Sequence, residues 1–306
     1  MRVEISAASR IGRARRSDHL LAYAFILPTA LLLGVFAVYP FLQALWDSLF
    51  RIGLLTRTST FIGLANYVRI ATEPDLVETF ARTGIWVVAN LAVQTVLGLG
   101  IALLLDVPLK GRTIARGLVL FPYMVPAVVA AMTFRALFND VTGAANYALL
   151  SLGLVQQPVE WLSSPDLALL TVILVNCWKY TPFMVIVILA RLQAVPNAQR
   201  EAARIDGASA WGVFANVTFP WIAPVVLAAM LLRTIWVAND FDLIYLLAFG
   251  GPLGATTTIP IEIRTLAFGS QDIGLASALA IVAAVLLLAG ALVYSWAYAR
   301  AEKSQD

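Results

Sequence analysis

One cysteine and one histidine, Cys177 and His19, are the whole thiol and imidazole content of this 306-residue chain. No intrachain disulfide and no cysteine-built metal site can form. His19 precedes the first long apolar run, so a histidine proton relay inside a membrane is excluded too. Charge is scarce: Asp, Glu, Lys and Arg make up 13% of residues against 60% hydrophobic, with a mean hydropathy of +0.84. A soluble chain of this length needs far more surface charge. The three lysines, Lys110, Lys179 and Lys303, follow Leu109, Trp178 and Glu302. With no Gly-Lys pair there is no G-x-x-x-x-G-K loop, so the chain cannot bind ATP in that way. No serine sits in a G-x-S-x-G turn and the carboxylates are scattered, so no catalytic residue and no enzyme activity is expected. Nor does a repeat divide the chain into two similar halves, as many secondary transporters show.

What is present is a series of apolar runs, at residues 20–42, 80–105, 117–138, 166–190, 221–238 and 272–299, each of a length suited to crossing a bilayer. They predict an all-α polytopic membrane protein with a single six-span domain over 20–299. The first run is too long for a signal-peptide core and is read as an uncleaved span. Pro28, Pro40, Pro122 and Pro126 lie within or at the ends of runs, where neighbouring helices must satisfy the freed carbonyls. Residues 1–19 form a basic tail with Arg2, Arg10, Arg13, Arg15 and Arg16, read as a topogenic segment rather than a nucleic-acid binder. Residues 300–306 form a second short polar tail. Six spans put both ends of the chain on one side. That side holds thirteen Lys and Arg residues, the other side four, and the spans four. The positive-inside rule therefore places both termini in the cytoplasm.

One polar island stands out, residues 195–220, on the same cytoplasmic side. Pro196 suits a helix start, and Asn197 to Asp206 reads as a helix. Gly207 supplies the stop, and Ser209 can cap a second short helix from Ala210. Within it, Glu201-Ala202-Ala203, then Asp206-Gly207-Ala208, then Phe214 and Phe219-Pro220 resemble, at matching spacing, the EAA motif of binding-protein-dependent ABC transporter permeases. Other phrases resemble carbohydrate-uptake members of that family. These are Phe61-Ile62-Gly63-Leu64-Ala65-Asn66-Tyr67 after the first run, Phe121-Pro122-Tyr123 with Pro126 in the third, and Phe241-Asp242 through Gly250-Gly251-Pro252 after the fifth. Phe134 stands where those members often have Trp, and Ala248 where they have Thr. The resemblance covers most of the chain after the tail. It implies an inner-membrane subunit of an ATP-driven importer whose 195–220 loop forms coupling helices seated in an ATPase subunit. The coupling residues it implies are Glu201, Ala202, Ala203, Asp206, Gly207, Ala208, Phe214 and Pro220. Implied partners are an ABC ATPase dimer carrying ATP and Mg, a second permease that is usually a different chain, and an extracytoplasmic solute-binding protein. No cofactor is expected on this chain.

Polar groups in or beside the spans are the candidates for a solute path, because charge at membrane depth faces a cavity or a partner. They are Asn176, Lys179 and Tyr180 in the fourth run, and Asn239, Asp240, Phe241, Asp242 and Tyr245 after the fifth. Amides and carboxylates beside aromatic rings suit a sugar, oligosaccharide or polyol. Two have a plainer reading: Lys179 as a structural ion pair or a contact to a sister subunit, and 239–252 as a capped turn. Arg135 and Arg233 are expected to snorkel near the outer ends. Trp46, Trp86, Trp161, Trp221, Trp236 and Trp296 are expected as interfacial anchors. Glycerol 3-phosphate or a related phosphodiester is the alternative solute. An ion-coupled secondary transporter and a non-transporting membrane subunit are the alternatives of class.

Overall fold

The computed structural model describes residues 22–53, 58–108 and 110–303. The basic tail 1–19 and residues 304–306 lie outside the described residues. Five helices are long and apolar enough to cross a membrane: α1 (Ala22–Asp47), then α3 (Pro74–Asp106), α7 (Pro165–Leu192), α9 (Ala210–Ala238) and α12 (Ile273–Lys303). Between α1 and α3 lie a hairpin, β1 (Phe50–Gly53) with β2 (Thr58–Phe61), and α2 (Ala65–Thr72). The shorter helices are α4 (Arg112–Met124), α5 (Ala127–Leu137), α6 (Ala144–Ser151), α8 (Asn197–Ile205), α10 (Asp242–Ala248) and α11 (Ile259–Arg264).

The third apolar run corrects the picture of a simple span. It is two helices, α4 and α5, bent 92° to one another. The cause is local: Pro126 has no N–H and forces Val125 into extended backbone, at φ −68° and ψ 127°. The last carbonyl of α4 is then left open inside the bundle, and Lys179 of α7 donates to this Val125 oxygen. The bond places a cation at a helix C-terminus, where the macrodipole favours it. Lys179 is thus held by a backbone oxygen and not by the ion pair of the plainer reading.

α3 and α7 form the central pair, with α9 packed on both. Gly98 sets how near the pair comes: a Cβ there would lie 2.6 Å from Cβ of Met184. Gly98→Ala should therefore part the helices and destabilise the bundle by about 1–3 kcal/mol, read as a lower melting temperature in detergent.

Among the described residues, the hairpin and a single bridge from Gly53 to Asp272 are the only β-structure. Phe50 pairs with Phe61 and Gly53 with Thr58 in antiparallel register. The Phe61-to-Tyr67 phrase has a structural task here. Gly63 turns the chain at φ +58°, and Asn66 donates to the carbonyls of Ser48 and Phe50 at 2.8 and 3.0 Å. Tyr67 shares a 2.7 Å hydrogen bond with the Ser48 hydroxyl. Together they clasp α1, the hairpin and α2.

Candidate functional site

The 195–220 loop folds as its local chemistry dictates. α8 ends in a Schellman turn: Ala208 N–H reaches the Ala203 carbonyl at 2.9 Å and Gly207 N–H reaches Arg204 at 3.1 Å. That geometry needs a left-handed residue, and Gly207 has φ +83°. The Ser209 hydroxyl then accepts from Gly212 N–H at 3.1 Å and starts the next helix. This helix does not stop before the fifth span. It runs from Ala210 to Ala238 as α9, through a π-turn at Phe214–Thr218. Phe214 and Pro220 therefore lie within this helix, with Phe214 packed between Trp211 and Phe219.

Glu201, Ala202, Asp206, Gly207 and Ala208 are exposed and Ala203 is half-buried. Beside them two large apolar side chains face outward: Ile205 is 85% exposed and Trp211 73%, an unusual display at the polar end of a bundle. The loop is tied down from behind. Arg200 forms an ion pair with Asp106 at the end of α3 (3.0 Å) and donates to Leu192 O at the end of α7 (3.1 Å). Arg191 donates to Trp221 O at 2.9 Å, joining α7 to α9.

Farther along α7 and α9 is a cluster of buried polar groups. Arg233 is only 2% exposed, which corrects the expectation of snorkelling. Its Nε donates to Gln94 Oε1 at 2.9 Å, a terminal nitrogen reaches Asn176 Oδ1 at 3.4 Å, and its guanidinium lies 4.6 Å from the Tyr180 ring centroid. Gln94 donates to Asn176 Oδ1 at 2.9 Å and to Asn90 Oδ1 at 3.2 Å. Asn176 in turn donates to Asp240 Oδ2 at 2.7 Å, and Asp240 Oδ1 receives Leu243 N–H at 3.3 Å. Trp86 is likewise no interfacial anchor. It is fully buried and donates to Val237 O at 2.9 Å.

The cluster closes one wall of a cavity of about 290 Å3, where Tyr180, Arg233, Trp236, Asp240, Phe241 and Asp242 meet with Tyr123 and Asn239. Five of the eight solute-path candidates line this space. Asn176 and Lys179 do not: one is a hydrogen-bonded bridge behind the wall, the other holds the broken helix. Tyr245 lies one turn beyond, stacked on Phe241. The residues the sequence reading passed over are Asn90, Gln94 and, as part of the site, Tyr123, Arg233 and Trp236. The signal for two of them was present: amides four residues apart, mid-way along an apolar run. A larger cavity of about 440 Å3 between α3, α9, α11 and α12 has walls such as Val87, Ile263 and Leu286 and no charged group. It offers a hydrophilic solute little.

Comparison with known proteins places this architecture. Residues 94–305 match the family model "Binding-protein-dependent transport system inner membrane component". The chain is 38% identical over 277 residues to the trehalose/maltose transport system permease protein MalF of Thermococcus litoralis, covering 90% of this chain and 92% of that one. It is 33% identical over 278 residues to the sulfoquinovosyl glycerol transport system permease protein SmoG of Agrobacterium fabrum, covering 90% of each. Among solved structures it superposes with a TM-score of 0.81 and 25% identity on a chain of a bacterial ABC transporter involved in import of the acidic polysaccharide alginate, over 95% of this chain and 99% of that one. With the spans, the polar loop and the family match in agreement, this chain belongs to the inner-membrane permease components of binding-protein-dependent transport systems.

Proposed function

We propose that this subunit passes a sugar, oligosaccharide or polyol into the cytoplasm. An extracytoplasmic binding protein delivers the solute, and a separate ATPase pair drives the cycle through the 195–220 loop. The observation that carries the reading is the continuity of α9, whose one end is the exposed loop around Trp211 and whose other end opens on the cavity at Trp236 and Asn239. Exposed Ile205 and Trp211 beside Glu201 give the loop the mixed apolar and charged face that a groove on a partner protein would cover. The cavity joins aromatic rings to amide, carboxylate and guanidinium groups, the mixture a polyhydroxylated ring requires. The permeases named for trehalose/maltose and for sulfoquinovosyl glycerol support that class of solute. A phosphodiester is disfavoured, because Asp240 and Asp242 beside Arg233 leave the cavity without an excess of positive charge. Both termini lie in the cytoplasm in this arrangement, on the side of the loop.

The test is co-purification in mild detergent with the native partners, followed by ATPase assay with binding protein and candidate solutes. An ATPase subunit should co-purify, and turnover should rise only with binding protein loaded with a sugar or polyol. If no ATPase associates in several detergents, the coupling role of the loop is wrong. If turnover rises with a phosphodiester alone, the solute class is wrong.

A further inference from the structure

We propose that the chain carries a second, outer subsite for a sugar ring, joined to the inner cavity by a track of three aromatic side chains, Phe241, Tyr245 and Phe249. This inference rests on the sugar reading above. α10 is a two-faced helix. Leu243, Ile244 and Leu247 are buried in the core, while Phe241, Tyr245 and Phe249 follow one another four residues apart along the other side. Phe241 and Tyr245 stack with centroids 4.9 Å apart and planes at 17°. Tyr245 meets Phe249 edge-on at 5.1 Å. Phe241 and Phe249 cap the two ends of α10, whose seven residues advance ~10 Å. At the near end is the inner cavity with Phe241 and Asp242; at the far end is another, of about 230 Å3, with Ala248 and Phe249.

The far cavity is polar, bounded also by Arg135, Asn139, Asp140 and Ser163. Asp140 accepts from the Ser163 hydroxyl through Oδ2, but its Oδ1 is buried with no hydrogen-bond partner among the described residues. An unpaired carboxylate oxygen beside a cavity asks for a donor, and a turn of the Asp140 side chain would bring it to a sugar hydroxyl. The cations define the surroundings. Arg135 lies 4.8 Å from the Phe249 centroid and Arg264 4.5 Å from that of Tyr245. Guanidinium groups on lipid-facing rings would be costly, so this face of α10 is turned to a wet space. An apolar ligand would leave Asp140 and Arg135 unanswered, and a small anion would meet the Asp140 carboxylate. A sugar ring answers both demands: its C–H face rests on the negative face of an aromatic ring, and its hydroxyls donate to Asp140 and accept from Arg135.

The experiment is ATP-driven uptake by the complete complex in proteoliposomes with its binding protein, using maltose, trehalose, maltotetraose and sorbitol as probes. Phe249→Leu keeps the bulk and removes the ring; Asp140→Asn keeps the shape and removes the charged acceptor. Each should raise KM for the transported probe about threefold to tenfold with a smaller change in kcat. Phe249→Tyr should return KM towards the wild-type value. An unchanged KM in both variants, with wild-type uptake intact, overturns the outer subsite alone. Loss of the second permease from the Phe249→Leu complex would assign this face to a subunit interface and also overturn it. If the wild-type complex takes up none of the four probes, the sugar reading fails and the subsite with it.

Discussion

Gly207→Pro abolishes uptake while the protein still inserts and its bundle still folds. The site has φ +83°, and proline is held near −65°, so the Schellman turn at the end of α8 cannot form. The same change deletes the N–H that bonds to Arg204. The exposed loop lies outside the packed spans, so the damage is confined to the angle between α8 and α9. Gly207→Ala should be milder, carrying only the left-handed penalty of about 1–2 kcal/mol, and Gly207→Asn milder still. Glu201→Lys should give the same loss of uptake for a different reason. It leaves the backbone intact and reverses a charge on the exposed face. Membrane fractionation checks insertion, transport reads activity, and co-purification of the ATPase separates the two causes. Normal uptake by either correctly inserted variant would remove the loop from the coupling mechanism.

The second large effect is expected at Arg233. Arg233→Leu leaves Gln94 Oε1 without its donor, and takes one of two donors from Asn176 Oδ1, in a region closed to water. A loss of about 2–4 kcal/mol follows, with uptake falling at least tenfold because the cavity wall is no longer held. Arg233→Lys should rescue little, since an ammonium cannot reproduce the planar fork that bonds Gln94 and lies on Tyr180. Thermal unfolding of the purified complex and initial uptake rates measure the two effects. Gln94→Glu is the informative companion, as it keeps the acceptor and offers Arg233 a charged partner. A wild-type melting temperature and uptake rate in Arg233→Leu would contradict the cluster's role.

How far the sequence could be read depended on the range of the forces involved. Gly207 and Ser209 were legible because a helix stop and a helix cap are written in residues within one turn of the feature itself. Pro126 reads as a proline tolerated within one span, and the 92° break it makes between α4 and α5 is not foreseen from that. The hairpin at Phe50–Gly53 and Thr58–Phe61 was missed because its two strands are four residues each and carry little alternation. Arg233 and Trp86 were misjudged for a different reason. The partner that makes a buried guanidinium tolerable, Gln94, is 139 residues away, and the carbonyl that satisfies the Trp86 indole is 151 away. No local pattern carries that information. Among the path candidates, Asn239 to Asp242 do meet at the inner cavity, whereas Lys179 is spent on the open carbonyl of Val125.

The unbroken course of α9 has a mechanical meaning. The continuous helix from Ala210 to Ala238 is roughly 40 Å long. In the coupling proposed above, the bond from Arg191 to the Trp221 carbonyl, which ties α9 to α7, would act as a fulcrum. A sideways push on the short arm at Trp211 would then swing the long arm, which ends at Trp236 and Asn239, in the opposite direction and through a larger arc. The π-turn at Phe214–Thr218, which lies on the short arm, is the natural place for compliance. Stiffening it would make the gate follow the motor more tightly, and loosening it would let the motor turn over with the gate standing still.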